Sequence, residues 1–199
     1  MNILSYEVST KRGQGHTIDG HVLPAPGAWK IDPGHTDVAF IGRHFMLTKV
    51  RGRFTDVTGT VVIASNLDDS KVEVSISMAS VESGSAERDA HIKSPELFDV
   101  DQFPNATFRS TTVDWRGTSG TVHGDLTMHG VTRNVPLSVT FEGHARDPWG
   151  GDRGMFSAKT KINREDFGIT WNVALEAGGL LVSKDIQIEI DLETVLNRA

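Results

Sequence analysis

From Trp29 onward, apolar positions alternate with polar ones. A period of two marks a strand with one buried face. The cleanest run is 71–80, where Val72, Val74, Ile76 and Met78 share one face and Glu73, Ser75 and Ser77 the other. Similar runs fall at 36–45 with Val38 and Phe40, 50–65 with Val57, Val61 and Ile63, and 105–115 with Ala106 and Phe108. They continue at 119–128 with Val122, Leu126 and Met128, and at 134–146 with Val135, Leu137, Val139 and Phe141. The last two cover 154–164, with Phe156, Ala158 and Ile162, and 181–195, with Val182, Ile186, Ile188 and Ile190. Trp115-Arg116-Gly117 and His129-Gly130 are hairpin turn signals.

The period fails in two places. Residues 82–98 are rich in charge and alanine; Ser83 and Ser85 are N-cap candidates, and Pro95 ends a helix at Ser94. Residues 165–180 hold no clear period and read as a loop. The predicted fold is all-β: an eight-stranded antiparallel barrel with a short helical cover between strands three and four. Closure removes the exposed edges that eight one-face apolar strands would otherwise present. Residues 1–28 form a separate Gly/Pro-rich extension, leaving 29–199 as the barrel domain.

A barrel of eight strands either fills with its own side chains or holds one small ligand. Gly42, Gly59, Gly124, Gly143 and Ala158 lie on the inward parity, where small residues leave room or let strands coil. Ten or more residues per strand, at about 3.3 Å each, give a tunnel on the order of 30 Å. The alternative is a packed core in which the glycines serve curvature alone.

Composition narrows the chemistry. The net charge is −6, which disfavours nucleic acid as a partner. The chain has no cysteine, so disulfides and thiolate catalysis are excluded. Its eight histidines show no HxH or HExxH spacing, and neither a metal nor a cofactor is expected. Met1 to Gly15 lacks the apolar stretch of a secretory signal; the expected compartment is the cytoplasm, or an exported one if a leader was removed.

Four separated segments resemble the YceI-like family. They are Trp29 to Phe40 with His44 and Val50-Arg51-Gly52-Arg53-Phe54; Arg88 to Val100 with Phe103-Pro104 and Thr107-Phe108; Gly124 to Arg133; and Ile162 to Ile169. The resemblance implies a lipocalin-like barrel that carries a polyisoprenoid lipid and is not an enzyme. Lining positions are carried over where the inward parity also selects them. They are Phe40, Val61, Ile63, Val74, Ile76, Phe108, Leu126, Leu137, Val139, Phe141, Phe156, Ile186 and Ile188.

Polar candidates for the mouth are His44, toward a quinone carbonyl or hydroxyl, and Lys184, toward an anionic head group; both also read as ordinary rim residues. Arg43 or Arg88 suits a pyrophosphate, although Arg88, Asp89 and His91 read more simply as ion pairs anchoring the cover. Glu165 and Asp166 are adjacent on a turn and make a poor acid–base pair. Trp149, in a Gly-rich turn, guards the mouth, meets a membrane transiently, or is a plain loop aromatic. Two other readings stay open: a lipid-modifying enzyme built on His44 or His91, and an interaction module with a packed interior, such as a homodimer.

Overall fold

A computed structural model of the chain describes residues 16–18, 21–176 and 179–197. Thirteen strands follow in chain order: β1 (His16–Ile18), β2 (His21–Leu23), β3 (Gly27–Ile31), β4 (Asp37–His44), β5 (Thr48–Phe54), β6 (Val57–Ile63), β7 (Lys71–Ser77), β8 (Val81–Glu82), β9 (Asn105–Arg116), β10 (Ser119–Met128), β11 (Val131–Arg146), β12 (Asp152–Asn163) and β13 (Asp185–Leu196). One helix, α1 (Ala86–Lys93), lies between β8 and β9. β1 and β2 form their own small sheet.

The other eleven strands reduce to eight barrel staves. β3 and β4 are one stave, broken by a 3-10 turn at Pro33–His35, and both pair antiparallel with β13. β5 and β6 are the second, broken at Thr55 and Asp56; β5 pairs with β4 and β6 with β3. β7 and β8 are the third, broken at Met78–Ser80. From β9 onward each stave is a single strand, and β12 pairs with β13 to close the ring. The chain is thus an eight-stranded antiparallel meander, as the period-two runs predict. The first run begins earlier than expected, at Gly27, because Pro33 and Gly34 interrupt the alternation.

Turn chemistry sets the register. His129 and Gly130 take φ of 51° and 73°, the left-handed pair that a two-residue hairpin requires. A bulge in β11 at Glu142 and another in β9 at Thr111, opposite His123/Gly124, bend those staves. Helix α1 starts at Ser85, whose hydroxyl accepts the Arg88 amide, and stops before Pro95. The helix buries none of its residues; the buried covering comes from the segment after it.

The barrel has two dissimilar ends. The turn end carries the loops after β9 and β11 and the segment entering β3. There Leu23 and Trp29 are almost fully buried. The helix end carries α1, the segment 94–104, the loop 164–184 and the β4–β5 hairpin.

Arg153 ties the seam where first and last staves meet. Its Nη1 donates to Asp32 Oδ2 (2.7 Å) and to Glu193, and its Nε donates to Asp147 Oδ2 (2.9 Å). The Arg153 hydrogen bond is the main reason the Asp32 carboxyl sits below its ordinary value, against an opposing effect of burial. Asp147 is also lowered, first by the Gly151 N–H, with Arg153 adding to it. The guanidinium itself holds its proton more tightly than usual. Asp32, His35 and Glu193 cluster closely enough to ligate a cation, but Arg153 already occupies both carboxylates.

Gly42, Gly59 and Gly124, three of the inward glycines, do not provide the interior space. A Cβ on Gly124 would lie 2.2 Å from the Phe108 ring, and one on Gly59 would lie 2.3 Å from the Glu73 carbonyl oxygen. Gly42 faces Ile186 at 3.3 Å. These glycines permit close approach, and neighbours fill the volume they leave.

Two outcomes follow from this packing. Gly124→Ala forces the Phe108 ring aside and lowers stability by about 1–3 kcal/mol in urea unfolding; an unchanged midpoint contradicts the contact. Asp32 and Asp147 have depressed carboxyl values, so their stabilisation is complete above roughly pH 5 and is lost as pH falls through the folded-state values. Arg153→Met flattens that acid-side decline. Urea midpoints across the acid range measure it, and an identical slope in the variant contradicts the assignment.

Candidate functional site

Three clusters of buried apolar residues surround a cavity of about 190 Å³. It runs the length of the barrel. Leu23, Pro24, Leu67 and Trp115 line it toward the turn end, and Val57, Met78, Ala106 and Met128 toward the helix end. Among the described residues, none that lines it carries a charge. The polar ones are Thr36, Ser70 and Thr160. The Thr36 hydroxyl donates to the Glu193 carbonyl oxygen (3.4 Å), and the Ser70 hydroxyl accepts the Ala64 amide (3.1 Å). Trp115 turns its Nε1–H to the Gly117 carbonyl oxygen (2.8 Å). An interior of this kind stays dry and accepts apolar matter.

Of the residues selected from the sequence, Val61, Ile63, Val74, Ile76, Phe108, Leu126, Leu137, Val139, Phe156 and Ile188 line the cavity. Five do not. Phe141 is buried in the cluster of Leu23, Trp29 and Phe156 at the turn end, its ring 5.3 Å from that of Phe156, and is not itself part of the cavity lining. Phe40 lies flat over Gly52, where a Cβ would come within 2.3 Å of its ring. Ile186, on β13, packs toward Gly42 on β4, so Phe40 joins the two strands of the overhanging β4–β5 hairpin and Ile186 ties that hairpin to β13. His44 ends β4 with its ring 4.2 Å from that of Phe45, outside the interior. Lys184 precedes β13 and points outward to Glu165 (2.9 Å). Strand parity failed for His44 and Lys184 because the barrel ends before the alternation does.

Two covers close the helix end. In the first, Ser83 anchors α1: Arg88 donates to its hydroxyl (2.7 Å) and carbonyl oxygen (2.6 Å), while Asp89 accepts from its amide and hydroxyl. Phe98, in the segment after the helix, packs toward Phe54 with ring centres 6.0 Å apart. The second cover is the loop 164–184, which buries Phe167 and Ile169. The covers meet where the His91 ring stands edge-on to Trp171 at 4.4 Å, with His91 Nε2 also 2.7 Å from Glu96. Trp149 stands at the opposite end on the 147–151 turn and is 88% exposed.

Sequence reasoning passed over Arg164, which holds the second cover. It is 5% exposed, donating through Nε to the Ser183 carbonyl oxygen (3.1 Å) and through Nη1 to that of Ile169 (2.6 Å). Burial lowers its proton affinity, and the neighbouring Glu165 carboxylate works in the opposite direction. One guanidinium thus gathers both ends of the loop. The available signal was a lone arginine between apolar Ile162 and Phe167, two inward anchors.

The YceI-like domain profile matches residues 29–194. The chain belongs to this family. A relative from Pseudomonas fluorescens (strain SBW25), described as a UPF0312 protein, is 39% identical over 180 residues, 88% of this chain and 89% of its own. Among solved structures, Burkholderia cenocepacia BcnA superposes with a TM-score of 0.70 at 21% identity, covering 82% of this chain and 98% of that one. A polyisoprenoid binding domain from Saccharophagus degradans, implicated in plant cell wall breakdown, gives a TM-score of 0.65 at 15% identity, covering 87% of this chain and 100% of that one. These two likenesses are likenesses of fold. In this YceI-like barrel the wall and both covers belong to the matched domain; Leu23 and Pro24 are added from outside it.

Arg164→Gln is expected to leave the Ile169 and Ser183 carbonyls poorly paired and to lower stability by about 2 kcal/mol. Hydrogen exchange should speed up first at 165–176 and 179–183. Exchange that rises evenly over the whole barrel instead contradicts a local clamp.

Proposed function

We propose that the protein binds a long-chain isoprenoid lipid, of the polyprenyl or isoprenoid-quinone type, inside the barrel for carriage, storage or protection. The observation that carries this reading is the uncharged cavity running between the two barrel ends. The Saccharophagus degradans domain of the same fold is described as polyisoprenoid-binding, which supports the ligand class. Binding is driven by withdrawing the tail from water, at roughly 25 cal/mol per Å² before ordering costs.

Volume sets how this happens. An apolar cavity of about 150 Å³ accepts a benzene, so the interior as it stands accepts on the order of eight carbons. A longer tail enters by turning side chains aside. Met78 and Met128, both in the wall, are suited to that because methionine is unbranched and adaptable. Val74, Ile76, Leu137 and Ile188 then meet the tail, and the head group stays outside the uncharged wall.

The reading is of a carrier and not of an enzyme acting on the tail. Acid–base or nucleophilic chemistry needs a titratable group at the reacting atoms. Among the described residues, none that lines the cavity is titratable.

Organic extraction of the purified protein followed by mass spectrometry tests this directly. Co-purified isoprenoid is expected, and added isoprenoid alcohol should raise the melting temperature. Ala158, a small residue in the wall, offers the paired variant. Ala158→Phe projects a ring into the cavity and should abolish both effects while the β-sheet circular dichroism persists. Finding no lipid and no thermal shift in the wild-type protein sinks the proposal.

A further inference from the structure

The helix end carries an apolar surface that the fold itself does not use. At the tip of the β4–β5 hairpin, Phe45, Met46 and Leu47 are 49%, 47% and 78% exposed. Beside them Val173 is 44% exposed. Backbone bonds join the two loops: Phe45 N–H donates to the Leu181 carbonyl oxygen (2.8 Å), Leu181 N–H to that of Val173 (2.9 Å), and His44 pairs with Val182. Over 173–176 and 180–182 the second loop contributes Val173, Ala174, Leu175, Leu180, Leu181 and Val182, and one acid, Glu176.

The hairpin tip is strained as well as exposed. Phe45 and Met46 have φ of 51° and 61°, where glycine or asparagine would sit more easily. Bulky apolar side chains held there neither relieve the turn nor fill the core. Strain of this kind, kept in the open, points to a function for those side chains.

We propose that these two loops dock the helix end on a lipid bilayer, with Phe45, Met46, Leu47 and Val173 entering the interfacial region. The charges beside the tip fit this occupant. Arg43 and Lys49 face each other across the hairpin just behind it, and among the described residues neither joins an ion pair. Arg43 steadies the tip by donating to the Leu47 carbonyl oxygen (3.1 Å). Long basic side chains behind an apolar tip place their charges at the depth of lipid phosphates. Two other basic residues toward this end are already paired, Arg51 with Asp37 and Glu189 and Lys184 with Glu165.

The small size of the patch also speaks for a bilayer. A few side chains fall short of the roughly 1,000 Å² that a specific protein interface buries, whereas an interfacial anchor needs only apolar insertion and attraction to anionic lipid. Trp149 is at the other end of the barrel, single, on a turn flanked by Asp147 and Asp152. It cannot share this contact, so the membrane contact is assigned to the helix end. Docking there would hold the covered end of the cavity against the lipid source. In that respect it rests on the carriage reading, but attachment to vesicles is measured independently of any cargo.

The test is co-sedimentation of the full chain with vesicles of phosphatidylethanolamine and phosphatidylglycerol, at low and at high salt. The wild-type protein should sediment with them, and Met46→Asp/Leu47→Asp should not. Arg43→Gln and Lys49→Gln should each weaken low-salt binding about fivefold, the worth of one basic residue near an anionic surface. All four substitutions are on exposed residues away from the wall, and extracted lipid content serves as the check on the interior. A double variant that keeps its cargo but loses vesicles supports both readings. Tip-dependent vesicle binding by a protein without cargo leaves docking standing and removes carriage. The docking proposal is overturned if wild-type protein ignores vesicles, if the Asp variant still binds them, or if the substitutions instead dissociate a dimer of the chain.

Discussion

β13 has a partner on both sides along nearly its whole length: β12 on one, β4 and then β3 on the other. This double pairing turns a meander into a ring. An open eight-stranded sheet would expose one apolar face and two hydrogen-bonding edges. Closed, it has no free edge in the ring and its apolar face becomes an interior. Arg153 reinforces the same seam from outside by joining residues of the first and last staves. The cavity, its dryness and its two distinct ends all presuppose that closure.

The three broken staves show how the barrel is shaped. Breaks at 33–35, 55–56 and 78–80 fall in neighbouring staves and let the lower part of the wall diverge from the upper. Below them, β4 and β5 run on as an overhanging hairpin, and β8 pairs with β5 for two residues only. Beyond that pairing the wall cannot be completed by strands, and the segment after α1 fills in with Phe98 and Val100. The helix end is therefore covered by pieces that can separate, while the turn end is sealed by tightly buried Leu23 and Trp29.

Period-two alternation made the staves legible because each strand keeps one face dry over many residues. Even the interrupted staves read as runs from 50 and from 71, since their breaks last only two or three residues. The alternation misled where burial stops and the strand does not: His44 and Lys184 have inward parity but no interior beside them. It also misled at Gly42, Gly59 and Gly124, because composition reveals which side chain is small and not which neighbour leans over it. Arg164 was illegible for a related reason. Its partners are the carbonyls of Ile169 and Ser183, and backbone groups leave no trace in a residue pattern.

The seam has a further consequence for how the molecule is made. Thr36 and Glu193, which touch across it, are 157 residues apart in the chain. A ribosome adding residues at cellular speed takes on the order of ten seconds or more to cover that distance. Throughout that interval the first stave has its apolar face ready and its final neighbour unwritten. Contacts of such long range also slow the closing step itself. The nascent barrel is thus a half-open trough of apolar strands, whose unpaired edge and apolar face stay exposed to aggregation until β13 arrives.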